Sequence, residues 1–178
     1  MTSELIGYIE PNVNVRPIKI NGTDEIFHIL RCTFRGIDMD VVISSYVYTG
    51  VTGTVKITGS YATQKSADET GKIVHVPFIF AQSLESVPDD TPLTNKVRFQ
   101  LRVTKRYKFL VTDQGMEVLF LYGTVINAFN KIEVYKICLK RAYARKYSNC
   151  KKGTTITATA YIKSYGRGIE FSVDEVIE

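Results

Sequence analysis

Tyr161, Lys163 and Tyr165 fall on alternate positions of the segment GTTITATAYIKSYGRG, Gly153 to Gly168, and Arg167 follows in a glycine-flanked turn. Ile156, Ala158, Ala160 and Ile162 take the intervening places. Successive side chains of a β-strand point to opposite faces, so one face of this segment is apolar and the other carries the rings and cations. Flat aromatics interleaved with cations suit unpaired bases, which stack, and phosphates, which attract positive charge. The same pattern also serves a solvated strand or a subunit interface.

A second group precedes it. Arg98 and Arg102 alternate with Val97, Phe99, Leu101 and Val103, and Lys105, Arg106, Tyr107 and Lys108 follow where that strand is expected to bend or turn. This stripe fits a path for a phosphate backbone, or an ordinary solvated charge run. Tyr122 and Tyr135, on neighbouring strand-like runs, read equally as core, interface or base platform, and Lys136 sits between apolar neighbours, which leaves the facing of its strand open. Lys140, Arg141, Arg145 and Lys146 lie on an expected short helix that would plug the end of a barrel.

Catalytic patterns are missing. The chain has no G-x-x-x-x-G-K-[ST] and no H-E-x-x-H, and His28, His75 and three scattered cysteines make no metal spacing. The expectation is a non-enzymatic protein without cofactor or metal. An odd number of distant cysteines (Cys32, Cys138, Cys150) argues against a disulfide framework and for a reducing compartment, the cytoplasm by default. No apolar run approaches the roughly 18 residues of a membrane span, so no membrane partner is expected. The opening MTSELIGYIEPN reads as no secretory signal.

The net charge of +5 is unevenly spread. Met1 to Asp90 holds seven Lys and Arg against eleven Asp and Glu, net −4, whereas Thr91 to Glu178 holds sixteen against seven, net +9. A polyanionic partner is therefore expected for the second half. Tyr46, Tyr48 and Lys56 are the corresponding groups of the first half, where the acidic balance points instead to dimerisation, docking or weak binding.

Positioning these residues requires a scaffold. Prolines, aspartates and Ser/Thr interrupt the periodicity between Glu85 and Asn95, which divides the chain into an N-terminal domain (1–86), a linker (87–94) and a C-terminal domain (95–178). The second domain reads as three strands, a short helix over Lys140–Asn149, and two strands, Thr154–Tyr165 and Gly168–Ile177. That order is the five-stranded Greek-key barrel of the OB-fold. The first repeats it with strands Leu5–Glu10, Glu25–Phe34, Met39–Ser45, Gly53–Thr63 and Lys72–Gln82, its helix shortened or missing. The fold class is thus all-β, two tandem OB-fold domains with a short helix in the second. GTVKITGSY (Gly53–Tyr61) echoes GTTITATAY (Gly153–Tyr161), although Val55 and Ile57 fall on the parity of Thr155 and Thr157. Either the register differs between halves or the first-half strand is covered on both faces.

From Asn95 to Val176, the stretches NKVRFQLRV, DQGMEVLFLYG, EVYKICLKRAYARKYSNCKKGTTITATAYIKSY and GIEFSVDEV resemble, in order, the bacterial single-stranded DNA-binding protein family, SSB. The resemblance implies sequence-tolerant binding of single-stranded DNA and, since relatives with two such domains pair, a homodimer. The departures are a short loop at Asn127–Lys131, the absence of Trp, and no acidic tail of the kind that recruits repair enzymes. They fit an accessory, plasmid, phage or primosome-type (PriB-like) protein better than a housekeeping one. Other expectations of the same surface are an OB-fold interaction module of a replisome, primosome or phage particle, and single-stranded RNA binding.

Overall fold

Alternating burial builds two closed sheets with one strand order. The computed structural model describes residues 3–10, 16–19, 26–67, 69–127, 129–165 and 168–177. Contacts divide the chain into two units, Thr2–Lys96 and Val97–Glu178.

In the second unit, β7 (Lys96–Val111), β8 (Glu117–Ile126), β9 (Ile132–Lys140), β10 (Thr155–Tyr165) and β11 (Gly168–Ile177) close into a barrel of order β10-β11-β9-β8-β7. β11 runs parallel to β9, whereas β10 with β11, β7 with β8 and β8 with β9 pair antiparallel. Val103 closes the ring, donating to the Thr154 carbonyl and accepting from the Gly153 amide, both at 2.8 Å. Inside lie Val97, Phe99, Leu101, Leu119, Leu121, Tyr135, Ile137, Ile156, Ala158, Ala160, Ile162 and Phe171, all buried. β7 reaches its neighbours on both sides because it carries bulges between Val103 and Lys105 and between Arg106 and Lys108. Opposite Val103 stands Gly123, where a Cβ would collide with Leu101 and the Arg102 carbonyl. A glycine there lets the bent strand close on β8.

The helix α1 is five residues, Ala142–Lys146, shorter than the expected span because β9 continues to Lys140. It follows Arg141, whose φ of 53° is left-handed and whose amide donates to the Glu117 carbonyl. Ala144 is buried, and Arg145 is ion-paired with Glu117, which directs the helix cations to the barrel end.

In the first unit β1 (Ser3–Ile9), β2 (Arg16–Lys19), β3 (Ile26–Phe34), β4 (Ile37–Ser44), β5 (Gly53–Ala67) and β6 (Ile73–Ser86) form a sheet of order β1-β5-β6-β4-β3-β2. Tyr8 and Ile9 pair with Thr33 and Cys32, so β1 also meets β3 and closes the same ring. Five strands were expected and six are found. The first barrel strand is in two pieces, β1 serving β5 and β2 serving β3, where the second unit uses one continuous bulged strand. Between β4 and β5 lies a turn, with the Val47 and Tyr48 amides both donating to the Ser44 carbonyl, and no helix.

Segment 87–94 is hydrogen-bonded into the first unit. The Val87 amide donates to the Thr54 carbonyl, Thr94 and Ile6 exchange both backbone bonds, and Asn95 Nδ2 donates to the Arg35 carbonyl at 2.6 Å. Its prolines and aspartates mark turns, but its two ends are hydrogen-bonded to β5 and β1, and the division falls at Lys96/Val97 instead. Among the described residues no helix is long and apolar enough to cross a membrane.

Candidate nucleic-acid interface

On β10 the alternation read from sequence holds: Ile156, Ala158, Ala160 and Ile162 are buried, and Thr157, Thr159, Tyr161 and Lys163 are half-buried on the other face. Pairing places Tyr161 opposite Ser172 and Lys163 opposite Glu170 of β11. Those two residues stand opposite Cys138 and Lys136 of β9, which stand opposite Phe120 and Tyr122 of β8. Two outward rows therefore cross four strands, Tyr122–Lys136–Glu170–Lys163 and Phe120–Cys138–Ser172–Tyr161. Each row spans about 14 Å, three inter-strand spacings of about 4.8 Å.

β7 adds to one end of these rows. Lys105 pairs with Tyr122 and Lys108 with Phe120. The two bulges suspend alternation, so Lys105, Arg106, Tyr107 and Lys108 are all exposed. Tyr107, 56% exposed, meets Tyr122 edge to face at 5.6 Å between centroids, leaving ring surface accessible. Arg106 also donates to the Ser148 carbonyl at 2.7 Å, tethering it near the end of α1. Arg102, exposed and paired with Thr124, borders the rows. Arg98 is exposed on the same strand but seven residues before Lys105, away from the rows.

Tyr135 does not belong to this face. It points inward, is 5% exposed, packs on Phe171 at 4.7 Å and donates through its hydroxyl to Glu133. Its expectation as a base platform is corrected by the parity of β9, which turns Tyr135, Ile137 and Leu139 to the core. Lys136 consequently faces out, together with Cys138 and Lys140. Of Tyr165 only the backbone is described, paired with Gly168, and Arg167 lies outside the described residues.

Phe120, Lys136, Lys140 and Glu170 were missed as members of the site. Lys136 Nζ lies 2.8 Å from Glu170 Oε2 and 4.4 Å from the Phe120 ring centre, and Lys140 Nζ lies 3.1 Å from Ser172 Oγ. Burial works against the Lys136 charge, but the hydrogen bond and charge of Glu170 outweigh it, and the ammonium is held above its usual range. Cys138, beneath these groups, has its thiol pushed up to about 11, by burial first and by Glu170 second. Counting parity back from Ile137 as a core residue is the signal that would have turned Lys136 outward.

The same pairings in the first unit give the rows Arg31–Asp40–Phe78–Ala62 and Ile29–Val42–Phe80–Ser60. Arg31 is neutralised by Asp40 at 3.0 Å and the remainder is largely apolar. Lys56 is paired with Glu4, Tyr48 lies against His28, and Tyr46 is 88% exposed in the β4–β5 turn. The letter match between Gly53–Tyr61 and Gly153–Tyr161 is one residue out of step with the structure. The bulge follows Thr58 in β5 but Thr159 in β10, so Val55 and Ile57 point to the core as Ile156 and Ala158 do. Ser60 and Ala62 thereby occupy the places of Tyr161 and Lys163. Among the described residues no group of three His, Cys, Asp or Glu side chains comes together as a metal site would require.

Solved structures share this architecture. The wild-type single-stranded DNA-binding protein from Thermus aquaticus is similar at TM-score 0.75 and 13% identity, over 99% of this chain and 91% of that one. A deletion mutant of that protein gives a TM-score of 0.72 at 12% identity, over 99% and 93%. PriB from Ralstonia solanacearum is similar over 47% of this chain and 96% of its own, at 8% identity and TM-score 0.41, too distant a likeness to argue from. At these identities the likeness is one of fold, the tandem OB architecture read from the strand order of the two halves. No protein-family model and no curated protein sequence matches the chain.

Proposed function

We propose that the second unit binds single-stranded DNA without sequence preference, by stacking bases on Tyr107, Tyr122 and Tyr161 and by placing phosphates against Lys105, Lys108, Lys140 and Lys163. The observation that carries this reading is the two-row outward face, where aromatic and cationic groups from β8, β9, β10 and the bulged β7 meet on one surface. Base–aromatic stacking is worth about 1–3 kcal/mol per base and tolerates any base, while the lysines supply the salt-dependent share. Each group binds and none needs to react, so the protein works as a non-enzymatic holder of exposed strands, in replication, recombination or mobile-element DNA metabolism. The first unit, with largely apolar rows and with Arg31 and Lys56 paired to Asp40 and Glu4, contributes little to phosphate binding.

The decisive measurement is a fluorescence anisotropy titration with labelled dT oligomer, matched RNA and duplex DNA at two salt concentrations. Tight, steeply salt-dependent binding of dT with much weaker binding of duplex is expected. Equal affinity for duplex and single strand would sink the reading, and preference for RNA would transfer it to that strand through the 2′-hydroxyl. A homodimer is the second reading. Ile126, Ile132 and Val134, each more than 60% exposed on the β8–β9 hairpin, favour a protein contact there.

A further inference from the structure

One carboxylate stands among the cations of the outward rows. Glu170 is only 6% exposed, and Lys136 reaches it at 2.8 Å. Lys163 faces it from β10, Lys140 lies on the same face of β9, Cys138 is close to it, and Tyr122 lies close to Lys136. The Lys136 ammonium simultaneously sits over the Phe120 ring. A lysine that would neutralise a phosphate is thus spent on a carboxylate, and it covers an aromatic face that would stack a base. Glu170 cannot readily release it, because a nearly buried carboxylate stripped of its partner is strongly disfavoured.

We propose that Glu170, Lys136 and Phe120 form an electrostatic latch on the binding face: Glu170 withholds Lys136 from phosphate and keeps its ammonium on Phe120. The surface then holds a single strand less tightly than its residue content allows and lets it go more easily. This rests on the single-strand reading above. The latch deepens that reading by identifying a residue of the face that opposes binding.

Glu170→Gln keeps the shape and removes the charge. The experiment compares the salt dependence of dT-oligomer binding for the wild type, E170Q and the double variant E170Q/K136Q, with thermal melting to confirm folding. E170Q is expected to bind more tightly and to steepen the slope of log K against log salt by about 0.7, the increment of one phosphate contact on a single strand. Between 50 and 200 mM salt, that increment amounts to an additional loss of roughly 2.6-fold. The double variant should return the slope to the wild-type value. A folded E170Q that binds equally or less tightly with an unchanged slope overturns the latch, and so does a double variant that keeps the steeper slope. Should E170Q not fold, NMR of the lysine ammonium groups of the wild type decides: the latch requires the Lys136 signal to stay in place when dT oligomer is added while that of Lys163 moves, and a Lys136 signal that moves as Lys163 does refutes it. Absence of dT binding by the wild type would overturn the single-strand reading itself, whereas wild-type binding with an unaltered E170Q slope would overturn the latch alone.

Discussion

Tyr122 and Tyr135 are residues of one type on adjacent strands of one barrel, and replacing each by Ala should have opposite consequences. Tyr135 is 5% exposed, packs on Phe171 and hydrogen-bonds Glu133. Removing so large a buried ring costs about 3–5 kcal/mol, the range for aromatic-to-Ala changes in cores. For a domain of this size, that lowers the midpoint of the second unit's transition by roughly 15–30 °C. Tyr122 is half-buried on the outer face, where its loss forfeits the edge contact with Tyr107, about 0.5–1.5 kcal/mol. Its larger effect is on binding, where losing one stacked base costs about 1–3 kcal/mol, roughly fivefold to more than a hundredfold in Kd. Thermal melting by circular dichroism and anisotropy titration with dT oligomer, run well below both transitions, separate the two quantities. Tyr135→Ala with wild-type melting and weakened binding would refute the inward register of β9. Tyr122→Ala with unchanged affinity would refute the outward rows as a binding face.

Other outcomes follow from the same geometry. Lys163→Ala should lower the salt slope by about 0.7 while leaving the melting temperature within a degree or two, since Lys163 is half-buried and Glu170, opposite it, is ion-paired with Lys136. A timed thiol assay on the native chain should label Cys150 first. Cys32 and Cys138 are buried and their thiols are pushed up to about 12 and about 11 by burial, so they react only as the fold opens. Because these two thiols hold their protons longer in the folded state, their contribution to stability is intact below pH 9 and is lost as the pH rises toward 11–12. Denaturant midpoints measured across that window should fall with pH, and a flat profile would contradict the burial of both groups.

Strand alternation was legible in the chain because it is a local, covalent property. Val97–Val103 and Ile156–Ile162 each expose one parity to the core, and the second unit's strand ends agree with the sequence reading to within a residue or two, apart from the longer run of β7. Tyr161 and Lys163 could be placed on the outer parity for the same reason. Tyr135 and Lys136 become assignable only once Ile137 is taken as core, because β9 carries apolar residues on both parities and its partners decide which side is interior. The linker composition of 87–94 was also a poor guide, since its prolines say where the chain turns and not which sheet satisfies its backbone.

The sequence alone thus determined the period, the order of strands and the cationic bias of the second half. Tertiary structure decided which outward residues meet, because registers are fixed by hydrogen bonds between strands distant in the chain. The parallel pairing of β9 with β11 joins Lys136 to Glu170, 34 residues away, and no local pattern encodes that encounter. Bulges did the rest. One after Thr159, where the letter match with Thr58 would put it after Ala158, aligns Tyr161 and Lys163 with Ser60 and Ala62 of the first unit, and two more in β7 turn four successive side chains outward. The aromatic and cationic series of Gly153–Gly168 is therefore one edge of a surface whose other members only the closed barrel brings beside it.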